Sequence, residues 1–450
     1  MVLWGIIQGM KVAILGFGQQ GRSATRYYAE RGYEITVCDQ AGAVADIPAG
    51  VALQLGAGYL NDLDRFDLLV RTPFMQPDKI TSANPQAPDI LDKVTTATDE
   101  FFKCVSTPIL AVTGTKGKGT TCLLSEAILK QAGLKVCLVG NIGVPPLDVL
   151  EDANAADIVV FEIASFQTMD LTRSPQVGVC LNMSPEHLDW HKDYEDYLSC
   201  KAQLFANQRA GDKAIFAAGD KDSERVVSGS SGRIVSYGSD NEQAYVHIAT
   251  GSIYVDGRDV AKASDIKLLG RHNRQNVCAA IAACYDYLPP DEAPAIIQTA
   301  LRNCTGFPSR LEPIRELRGV TYINDSYASA PEASIAALEA VAAPKILIAG
   351  GHDKGVDMGK FADKILASNV KHVITIGKTG IEIARLIRKS QPDFSIVEDC
   401  RSMQEVVERA AGLAAAGDAV LLSTASASFG MFKNYNDRAD QFKQAVGRLD

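Results

Sequence analysis

Residues 113–121 read TGTKGKGTT, and this run decides the fold of the middle of the 450-residue chain. It follows the apolar segment 108–112 and precedes a segment with helical periodicity, so it predicts a strand, a glycine-rich turn and a helix N-terminus. Gly114 and Gly117 let backbone N–H groups turn toward an anion, and the helix N-terminus favours negative charge. Lys118 can reach the terminal phosphates of a nucleotide. The run therefore predicts a cradle for a nucleoside triphosphate.

The loop also departs from the usual P-loop pattern. The stretch between its glycines is shorter, and Gly119 stands where a serine or threonine normally binds magnesium. The hydroxyl must then come from Thr120 or Thr121, and the sequence leaves both open. An ordinary glycine-rich turn is the alternative, but it gives no reason for the lysines and threonines around the glycines.

Composition limits the class of protein. The chain has 46% hydrophobic and 22% charged residues, which is typical of a soluble protein, and its length predicts roughly three domains. A net charge of −9 without a long basic run argues against nucleic-acid binding. Ten cysteines without a CxxC spacing indicate free thiols in a reducing compartment, so we expect a cytoplasmic protein. The apolar start is too short to span a bilayer, and we interpret residues before Met10 as a frayed or alternative start.

Another glycine pattern lies near the N-terminus, and because it comes earlier in the chain we call it the first glycine loop. An apolar strand leads into Gly16, Gly18 and Gly21, and a helix and a second strand ending at Asp39 follow. This βαβ unit with an acidic residue about twenty positions on is typical of dinucleotide binding. The glycines could instead serve only the packing of helix on strand. Because another phosphate loop lies further along the chain, a nucleotide-containing ligand other than NAD is the favoured interpretation.

The alternation of strands and helices restarts twice, which predicts an α/β protein of three domains. We place a Rossmann-like domain at residues 1–104 and a P-loop ATPase-like domain at 105–307, whose mostly parallel sheet gains a small antiparallel addition within 213–269. A second Rossmann-like domain follows at 308–450. No internal repeat interrupts the three.

Polar residues cluster where strands of the middle domain are predicted to end, which is where open α/β sheets bind ligands. Glu162 ends the apolar run DIVVFE, and its carboxylate can hold a magnesium ion that accompanies a triphosphate. A helix cap is the alternative role. The segment NMSPEHLDWH at 182–191 is unusually dense in polar groups, and His187 could bind or orient a second metal or be a solvated loop histidine.

Nine segments carry a resemblance to a known family. In chain order they are TGTKGKGTT, GNIGVP, FEIASFQ, SPEHLDWH, YEDYLSCKAQLF, GRHNRQN, NDSYAS, GGHDKG and SASFGMFKNYNDR. Together they resemble the Mur ligase family over nearly the whole chain. Within that family, SFQ and GNIG are similar to the members that add D-glutamate to UDP-N-acetylmuramoyl-L-alanine in peptidoglycan synthesis.

The resemblance implies a role for each matching residue. Lys118, Glu162, His187 and Lys201 would be catalytic, with two magnesium sites built from Thr120 or Thr121, Glu162, His187 and a carbamylated Lys201. ATP would be bound by Gly114, Thr115, Lys116, Gly117, Lys118, Gly119, Thr120, Thr121, Asn273, Arg310 and Asp325. The uridine diphosphate would contact Gln19, Gln20 and Asp39, and Asn141 would lie near the substrate carboxylate. The incoming amino acid would be held by Ser329, Lys354, Ser428 and Tyr435.

The implied chemistry is amide formation through an acyl phosphate. ATP, magnesium, UDP-N-acetylmuramoyl-L-alanine and D-glutamate are the expected partners of a monomer that binds neither nucleic acid nor a membrane. Magnesium and Lys118 would offset the repulsion between two anions. We also expect the C-terminal domain to close on the middle one, because water would hydrolyse the intermediate.

Several positions depart from the family pattern. Ala164 replaces a serine, Trp190 an arginine, Ser309 a histidine and Tyr327 a lysine, while TPF at 72–74 stands where SPG is common. These departures leave open the amino acid added, for example L-glutamate, and the contacts with uridine.

Three other functions fit part of the sequence. A folylpolyglutamate synthase-like ligase would share Lys116 and Gly119 but lacks the N-terminal βαβ unit. An NAD-dependent dehydrogenase leaves the second phosphate loop and Glu162 unexplained. A catalytically silent nucleotide-binding regulator would have no need of Lys118, Glu162, His187 and Lys201 together.

Overall fold

A computed structural model describes residues 9–141 and 144–450 of the chain. It has the predicted α/β architecture, with three separate sheets. The chain divides into two compact units, Met1–Asp265 with Gln275–Leu301, and Ile266–Arg274 with Arg302–Asp450. The first unit contains two sheets and the second unit contains one. The exact domain boundaries at 104 and 307 stay predictions.

The first sheet has five parallel strands in the order β3-β2-β1-β4-β5. Its strands are β1 (Lys11–Leu15), β2 (Glu34–Asp39), β3 (Ala52–Leu55), β4 (Leu68–Arg71) and β5 (Val94–Thr96). Its helices are α1 (Gln19–Ala29), α2 (Pro77–Ala83) and α3 (Ala97–Cys104). Val12 and Ile14 of β1 are fully buried, as expected for a central parallel strand covered on both faces. The strand order reverses at β1, beside the first glycine loop, as in the Rossmann-like fold predicted for this region.

The second sheet has nine strands in the order β14-β13-β12-β11-β10-β9-β6-β8-β7. They are β6 (Ile109–Thr113), β7 (Val136–Gly140), β8 (Ile158–Glu162), β9 (Val177–Cys180), β10 (Lys213–Ala217), β11 (Arg233–Gly238), β12 (Val246–Ala249), β13 (Ser252–Val255) and β14 (Arg258–Lys262). The helices are α4 (Lys118–Gln131), α5 (Leu150–Asn154), α6 (Ser165–Thr168), α7 (Tyr194–Ala202), α8 (Lys221–Val227), α9 (Arg271–Cys284) and α10 (Ala293–Asn303). β13 pairs antiparallel with both β12 and β14, so the antiparallel addition is a three-stranded meander at one edge of the sheet.

The sheet of the second unit has six strands in the order β15-β16-β20-β17-β18-β19. They are β15 (Glu312–Leu317), β16 (Val320–Asn324), β17 (Lys345–Ala349), β18 (Val370–Thr375), β19 (Ile396–Val397) and β20 (Ala419–Leu422). The helices are α11 (Pro331–Ala340), α12 (Gly359–Ala367), α13 (Gly377–Ser390), α14 (Met403–Leu413) and α15 (Tyr435–Gly447). The edge strand β15 runs antiparallel, which the sequence pattern did not predict. Both faces of the sheet carry apolar clusters, which explains the apolar runs ILIA of β17 and AVLL of β20.

Short 3-10 turns at Gly56–Gly58, Leu63–Arg65, Ile90–Lys93, Pro146–Val149, Ala263–Asp265 and Tyr285–Tyr287 link these elements. All ten cysteines are free thiols, as predicted. Across residues 9–141 and 144–450, no helix combines the length and the apolar character that crossing a bilayer requires. The predicted frayed start falls on residues 1–8, which lie outside the described residues.

Candidate active site

The glycine loop at residues 113–121 connects β6 to α4, and its backbone adopts conformations that favour glycine. Gly114 has φ of +132° and Gly117 has φ of +90°. A Cβ atom on Gly114 would lie 2.5 Å from Cβ of Leu181, and one on Gly117 would lie 2.4 Å from Oδ1 of Asn276. The α4 helix begins immediately afterwards at Lys118. The strand, the glycine turn and the helix N-terminus predicted for this segment are therefore present, and an added Cβ at either glycine would clash with its neighbours.

Lys118 lies over the loop that it follows. Its Nζ donates to the carbonyl oxygens of Gly114, at 3.0 Å, and Thr115, at 2.9 Å. Burial lowers the pKa of Lys118, while the nearby Glu162 carboxylate acts in the opposite direction. Lys116 differs, because its side chain is 81% exposed and pairs with Glu186. Of the two lysines in the loop, Lys118 is the one held against the backbone of the cradle.

The two candidate threonines have different surroundings. The Thr121 side chain is fully buried, and its hydroxyl donates to Oδ1 of Asn276 at 3.5 Å. Thr120 and Gly119 are half-buried in the first turn of α4. Among the residues that the structure describes, the Thr120 hydroxyl has no hydrogen-bond partner. Thr120 is therefore the hydroxyl left available at the helix N-terminus.

Glu162 lies beside the glycine loop because of strand register. It ends β8, pairs with Val112 on β6 and pairs with Gly140 on β7. The residue is only 8% exposed, and its Oε1 accepts a hydrogen bond from Nδ2 of Asn141 at 3.3 Å. Two residues predicted from separate motifs thus meet at the carboxyl ends of adjacent strands. Ile142 and Gly143 of the GNIGVP segment lie outside the described residues.

Lys201 is buried under the same loop, contrary to what an isolated helix lysine would suggest. It lies on α7, is 1% exposed, and its Nζ donates to Oγ1 of Thr113 and the carbonyl of Gly114, both at 3.1 Å. The ammonium also lies 4.7 Å from the centre of the Tyr197 ring. Burial, together with repulsion from Lys118, lowers the pKa of Lys201 to about 7. Burial therefore favours the neutral form of this amine.

His187 stands at the rim, in a loop after β9. Its φ of +57° is unusual for a residue with a side chain, and 46% of that side chain is exposed. The ring packs edge-on against Phe166, with the centroids 5.6 Å apart, and Nε2 lies 4.0 Å from a Glu186 carboxylate oxygen. The imidazole is therefore accessible to a ligand.

Sequence patterns missed several residues that support this site. Asn276 packs on Gly117 and Thr121, and its signal was a second asparagine three positions after Asn273 in GRHNRQN. Thr115 is fixed by Tyr197 and Ser184, since its hydroxyl lies 3.1 Å from the Tyr197 hydroxyl and donates to the Ser184 carbonyl at 3.0 Å. These contacts join segments far apart in the chain, so no local pattern reveals them.

His191 is the centre of a buried hydrogen-bonded cluster close to His187 in the chain. Its Nε2 lies 2.8 Å from Oγ of Ser165, and its Nδ1 lies 3.1 Å from a carboxylate oxygen of Asp196. Burial lowers the pKa of His191 despite the Asp196 carboxylate. His191, Asp196 and Cys200 are close enough to share an ion, but both ring nitrogens are already hydrogen-bonded. The cluster is better explained as a structural contact in which His191 joins α6 to α7 through hydrogen bonds.

The first glycine loop is closely packed. A Cβ on Gly21 would lie 1.9 Å from the carbonyl oxygen of Gly16. Asp39 accepts backbone hydrogen bonds from Phe17, at 2.6 Å, and from Ala41, at 2.9 Å, so its carboxylate stabilises the loop itself. Gln19 and Gln20 begin α1. Gln20 Oε1 is buried and has no hydrogen-bond partner within the described residues. The contact of these residues with a uridine nucleotide stays a prediction.

The remaining predicted residues belong to the second unit. Asp325 is buried at the end of β16, where it accepts hydrogen bonds from Oγ of Ser423, at 2.7 Å, and from the Leu311 backbone, at 3.1 Å. Burial raises its pKa to about 7. Arg310 is exposed, with its guanidinium 4.1 Å from the centre of the Tyr327 ring. Nδ2 of Asn273 donates to the carbonyl of Leu269 at 2.6 Å.

The four predicted amino-acid ligands follow the carboxyl ends of three adjacent strands, β16, β20 and β17. Ser329 and Lys354 are exposed, Tyr435 is 41% exposed, and Ser428 is buried. The Lys354 loop is tied to the Ser428 loop because the His352 backbone N–H donates to the Ala427 carbonyl at 2.8 Å. The fold of this unit thus gathers the four residues on one edge of its sheet.

Comparison with known proteins agrees with this arrangement. Residues 112–284 match the family described as Mur ligase middle domain, and residues 309–426 match the Mur ligase glutamate ligase domain. A UDP-N-acetylmuramoylalanine–D-glutamate ligase from Acetivibrio thermocellus is 37% identical over 99% of this chain and 97% of its own length. The chain belongs to the Mur ligase family. It is therefore a ligase that uses ATP, and the dehydrogenase interpretation is wrong.

Other Mur ligases extend the similarity. The enzyme of the same name from Clostridium tetani is 32% identical over 98% of both chains. A crystal structure of MurF from Acinetobacter baumannii superposes with a TM-score of 0.61 at 15% identity, covering 96% of this chain and 93% of that one. At this identity the structural match shows the Mur ligase fold alone. Together with the three sheets, it confirms the predicted fold class.

Proposed function

We propose that this protein joins D-glutamate to UDP-N-acetylmuramoyl-L-alanine in peptidoglycan precursor synthesis. The observation that carries the proposal is the convergence of Lys118, Glu162 and Lys201 on one glycine loop. This convergence occurs in a chain that is similar, over nearly its full length, to relatives named for that reaction. The first glycine loop supports the same assignment, because a uridine nucleotide needs a second phosphate-binding cradle. That βαβ unit also argues against the folylpolyglutamate synthase-like alternative.

The reaction proceeds in two displacements. A carboxylate oxygen of the L-alanyl substrate attacks the γ-phosphorus of ATP, the bond to ADP breaks, and an acyl phosphate forms. The amine of D-glutamate then attacks the acyl carbonyl, phosphate leaves, and the amine loses a proton as the amide forms. Lys118 would stabilise charge on the transferring phosphoryl group, together with the backbone N–H groups of the loop.

The donor set at the loop fits magnesium, which prefers oxygen ligands. The Glu162 carboxylate and the Thr120 hydroxyl would hold the ion that accompanies ATP, because Thr121 already hydrogen-bonds Asn276. His187, with its exposed ring, would hold or orient a second ion. When bound, magnesium offsets the charge of the phosphates. Of the two threonines that the sequence left open, we therefore propose Thr120 as the magnesium ligand.

Lys201 is proposed to be carbamylated. A neutral amine attacks carbon dioxide, forms a carbamate and releases a proton, so the reaction needs a lysine with a lowered pKa. Burial gives Lys201 a pKa of about 7, and its Nζ already lies 3.1 Å from the Gly114 carbonyl. The new carboxylate would face Lys118 and support the second magnesium. The buried position therefore favours both the modification and its use.

Residues of the second unit complete the proposal. Asn273 would contact the adenine region, Arg310 the phosphates and Asp325 the ribose. Ser329, Lys354, Ser428 and Tyr435 would bind D-glutamate, and the exposed Lys354 ammonium suits one of its carboxylates. A monomeric state and a cytoplasmic location stay predictions.

The proposal is tested by following phosphate release with ATP, magnesium, UDP-N-acetylmuramoyl-L-alanine and D-glutamate. We expect release only when all four are present, with the D-glutamyl product identified by mass spectrometry. L-Glutamate is the matched control for stereochemistry. If phosphate is released with L-glutamate but not with D-glutamate, the enzyme is specific for the L-isomer. If no amino acid causes phosphate release, the ligase assignment is refuted.

A further inference from the structure

Two of the departures from the family pattern meet at Arg310. Ser309 stands where the family has a histidine, and Tyr327 stands where it has a lysine. The Tyr327 backbone N–H donates to the Ser309 carbonyl at 2.9 Å, so the two positions are hydrogen-bonded to each other. Arg310 follows Ser309 directly, and its guanidinium lies over the Tyr327 ring, 4.1 Å from the ring centre. Both departures therefore border this arginine.

The departures replace basic groups with an aromatic surface beside Arg310. A lysine at position 327 would place a second cation next to the guanidinium, and like charges repel. Tyrosine instead presents the negative face of its π system, which attracts a guanidinium. The ring of Phe307 is a second aromatic neighbour, 5.4 Å from the guanidinium carbon. Because Arg310 is exposed, these ring contacts restrict a side chain that would otherwise sample many rotamers.

Hydrogen bonds fix the backbone beneath both side chains. Nδ2 of Asn324 donates to Oγ of Ser309 at 3.2 Å, and the Leu311 backbone N–H donates to a carboxyl oxygen of Asp325 at 3.1 Å. The segment that precedes β15 is thereby tied, on both sides of Arg310, to the segment that follows β16. The fold of this unit therefore sets the placement of the guanidinium relative to the ring.

A second aromatic contact fixes the orientation of the Tyr327 ring. Tyr435 packs edge-on against it, with the ring centroids 5.2 Å apart and the ring planes at 79°. Oγ of Ser326 donates to the Tyr435 carbonyl at 2.9 Å, and the buried Arg438 donates to the same Oγ at 2.9 Å. The Tyr327 ring itself is 46% exposed, so its removal leaves no cavity in the core.

We propose that Tyr327 is a positioning residue, which holds the Arg310 guanidinium through a cation–π contact in the place where it binds the phosphates of ATP. This inference rests on the proposed role of Arg310 in the ligase reaction. A guanidinium that is already in place loses less conformational entropy when the nucleotide binds, so affinity is gained without a contact between the ring and the nucleotide. The role belongs to the tyrosine of this chain, since a lysine at 327 would repel the guanidinium.

The experiment is a double-mutant cycle on ATP affinity, measured by isothermal titration calorimetry with magnesium and no other substrate. We expect Tyr327→Leu, which keeps an apolar side chain and removes the π system, to weaken ATP binding about fivefold. Tyr327→Phe keeps the ring and should retain the affinity. In an Arg310→Ala background, Tyr327→Leu should cause no further loss, because the ring acts through the guanidinium. Tyr245→Leu is the matched control, because it removes a ring that lies 5.6 Å from Arg233 in the first unit.

The outcomes separate this inference from the proposed function. Equal losses from Tyr327→Leu with and without the Arg310 side chain would show that the ring acts on the nucleotide directly, and would overturn the inference. Unchanged ATP affinity in Tyr327→Leu or in Arg310→Ala would overturn it as well, as would a loss in Tyr327→Phe equal to that in Tyr327→Leu. If the expected ATP affinities are found but D-glutamate gives no product, the proposed function fails while the role of Tyr327 stands. A raised KM for ATP in Tyr327→Leu, with the KM for UDP-N-acetylmuramoyl-L-alanine unchanged, would support that role.

Discussion

Lys118 and Lys201 show how burial gives two identical side chains different chemistry. Lys118 is partly buried, and the Glu162 carboxylate favours its charged form. Lys201 is fully buried, and both its burial and the charge of Lys118 disfavour the charged form of Lys201. The first residue therefore suits binding to phosphate, and the second suits reaction as a neutral amine. Both proposed roles depend on where the glycine loop places its carbonyl groups.

Lys118→Ala is expected to lower kcat about 10²- to 10³-fold, because a positioned cation is lost from the charge that develops on the phosphoryl group. Steady-state phosphate release measures the effect. The control is Lys130→Ala, which removes an exposed lysine that pairs with Glu126 on the same helix. Equal activity of the two variants would contradict the role of Lys118.

Lys201→Ala is expected to lose activity and to regain part of it when a short carboxylic acid such as acetate is added. The acid would occupy the volume of the missing side chain and supply the carboxylate that the carbamate provides. Initial rates at increasing acetate concentration measure the rescue, and the Lys118→Ala protein serves as the control that acetate should not restore. Loss without rescue would count against carbamylation.

The threonines are distinguished by Thr120→Val and Thr121→Val, which remove the hydroxyl and keep a similar shape. We expect Thr120→Val to raise the magnesium concentration needed for half-maximal rate about tenfold, because a ligand oxygen is lost. Thr121→Val should lower the melting temperature with a smaller effect on magnesium, because Asn276 loses its buried partner. The reverse pattern would assign the metal to Thr121.

At the scale of elements, we propose that the strand β6, its loop and the helix α4 act as one phosphate-binding unit. Register brings Glu162 on β8 beside the loop, and α7 brings Lys201 beneath it. The loop works only because Gly114 and Gly117 adopt positive φ where neighbouring atoms leave no room for a Cβ. Substitution at these positions therefore tests the element as a whole.

Gly117→Ala is compared with Gly133→Ala, because the two glycines flank α4 with similar φ values of +90° and +84°. Around Gly133 no atom lies within 4 Å of an added Cβ, so this variant should lose only about 1 kcal/mol of unfolding free energy from backbone strain. Gly117→Ala should lose about 1–3 kcal/mol more, because its Cβ would press on Asn276. Denaturant titration measures both. Similar losses would show that the loop adapts to the added methyl.

At the scale of the whole molecule, the buried ionisable groups make stability depend on pH. The folded pKa of Lys201, about 7, lies below its ordinary value of 10.5. The unfolded state therefore binds more protons between these values, and stability rises with pH across that window. Burial of Asp325 acts oppositely, because its folded pKa of about 7 lies above the ordinary 3.8, so stability falls as pH rises between those values.

In buffer free of carbon dioxide, the unfolding free energy of the unsubstituted protein should rise more steeply above about pH 7 than that of Lys201→Met. The difference between the two proteins isolates Lys201, since Lys345, whose pKa burial lowers to about 8, remains in both. Denaturant titrations at successive pH values measure the slopes. Parallel curves would show that folding does not lower the pKa of Lys201.

The sequence by itself determined the α/β class, the strand, loop and helix around Gly114 and Gly117, and the family. Apolar runs and glycine spacing are local, so they predict local structure directly. Only the tertiary structure decided what surrounds each candidate. A helix lysine at 201 is solvated on sequence grounds, yet packing places it under the loop. The proposal of Thr120 as the metal ligand and the contacts of Asn276 with the loop both depend on segments brought together from distant positions. Contacts of that kind follow from register and packing, which no single stretch of sequence encodes.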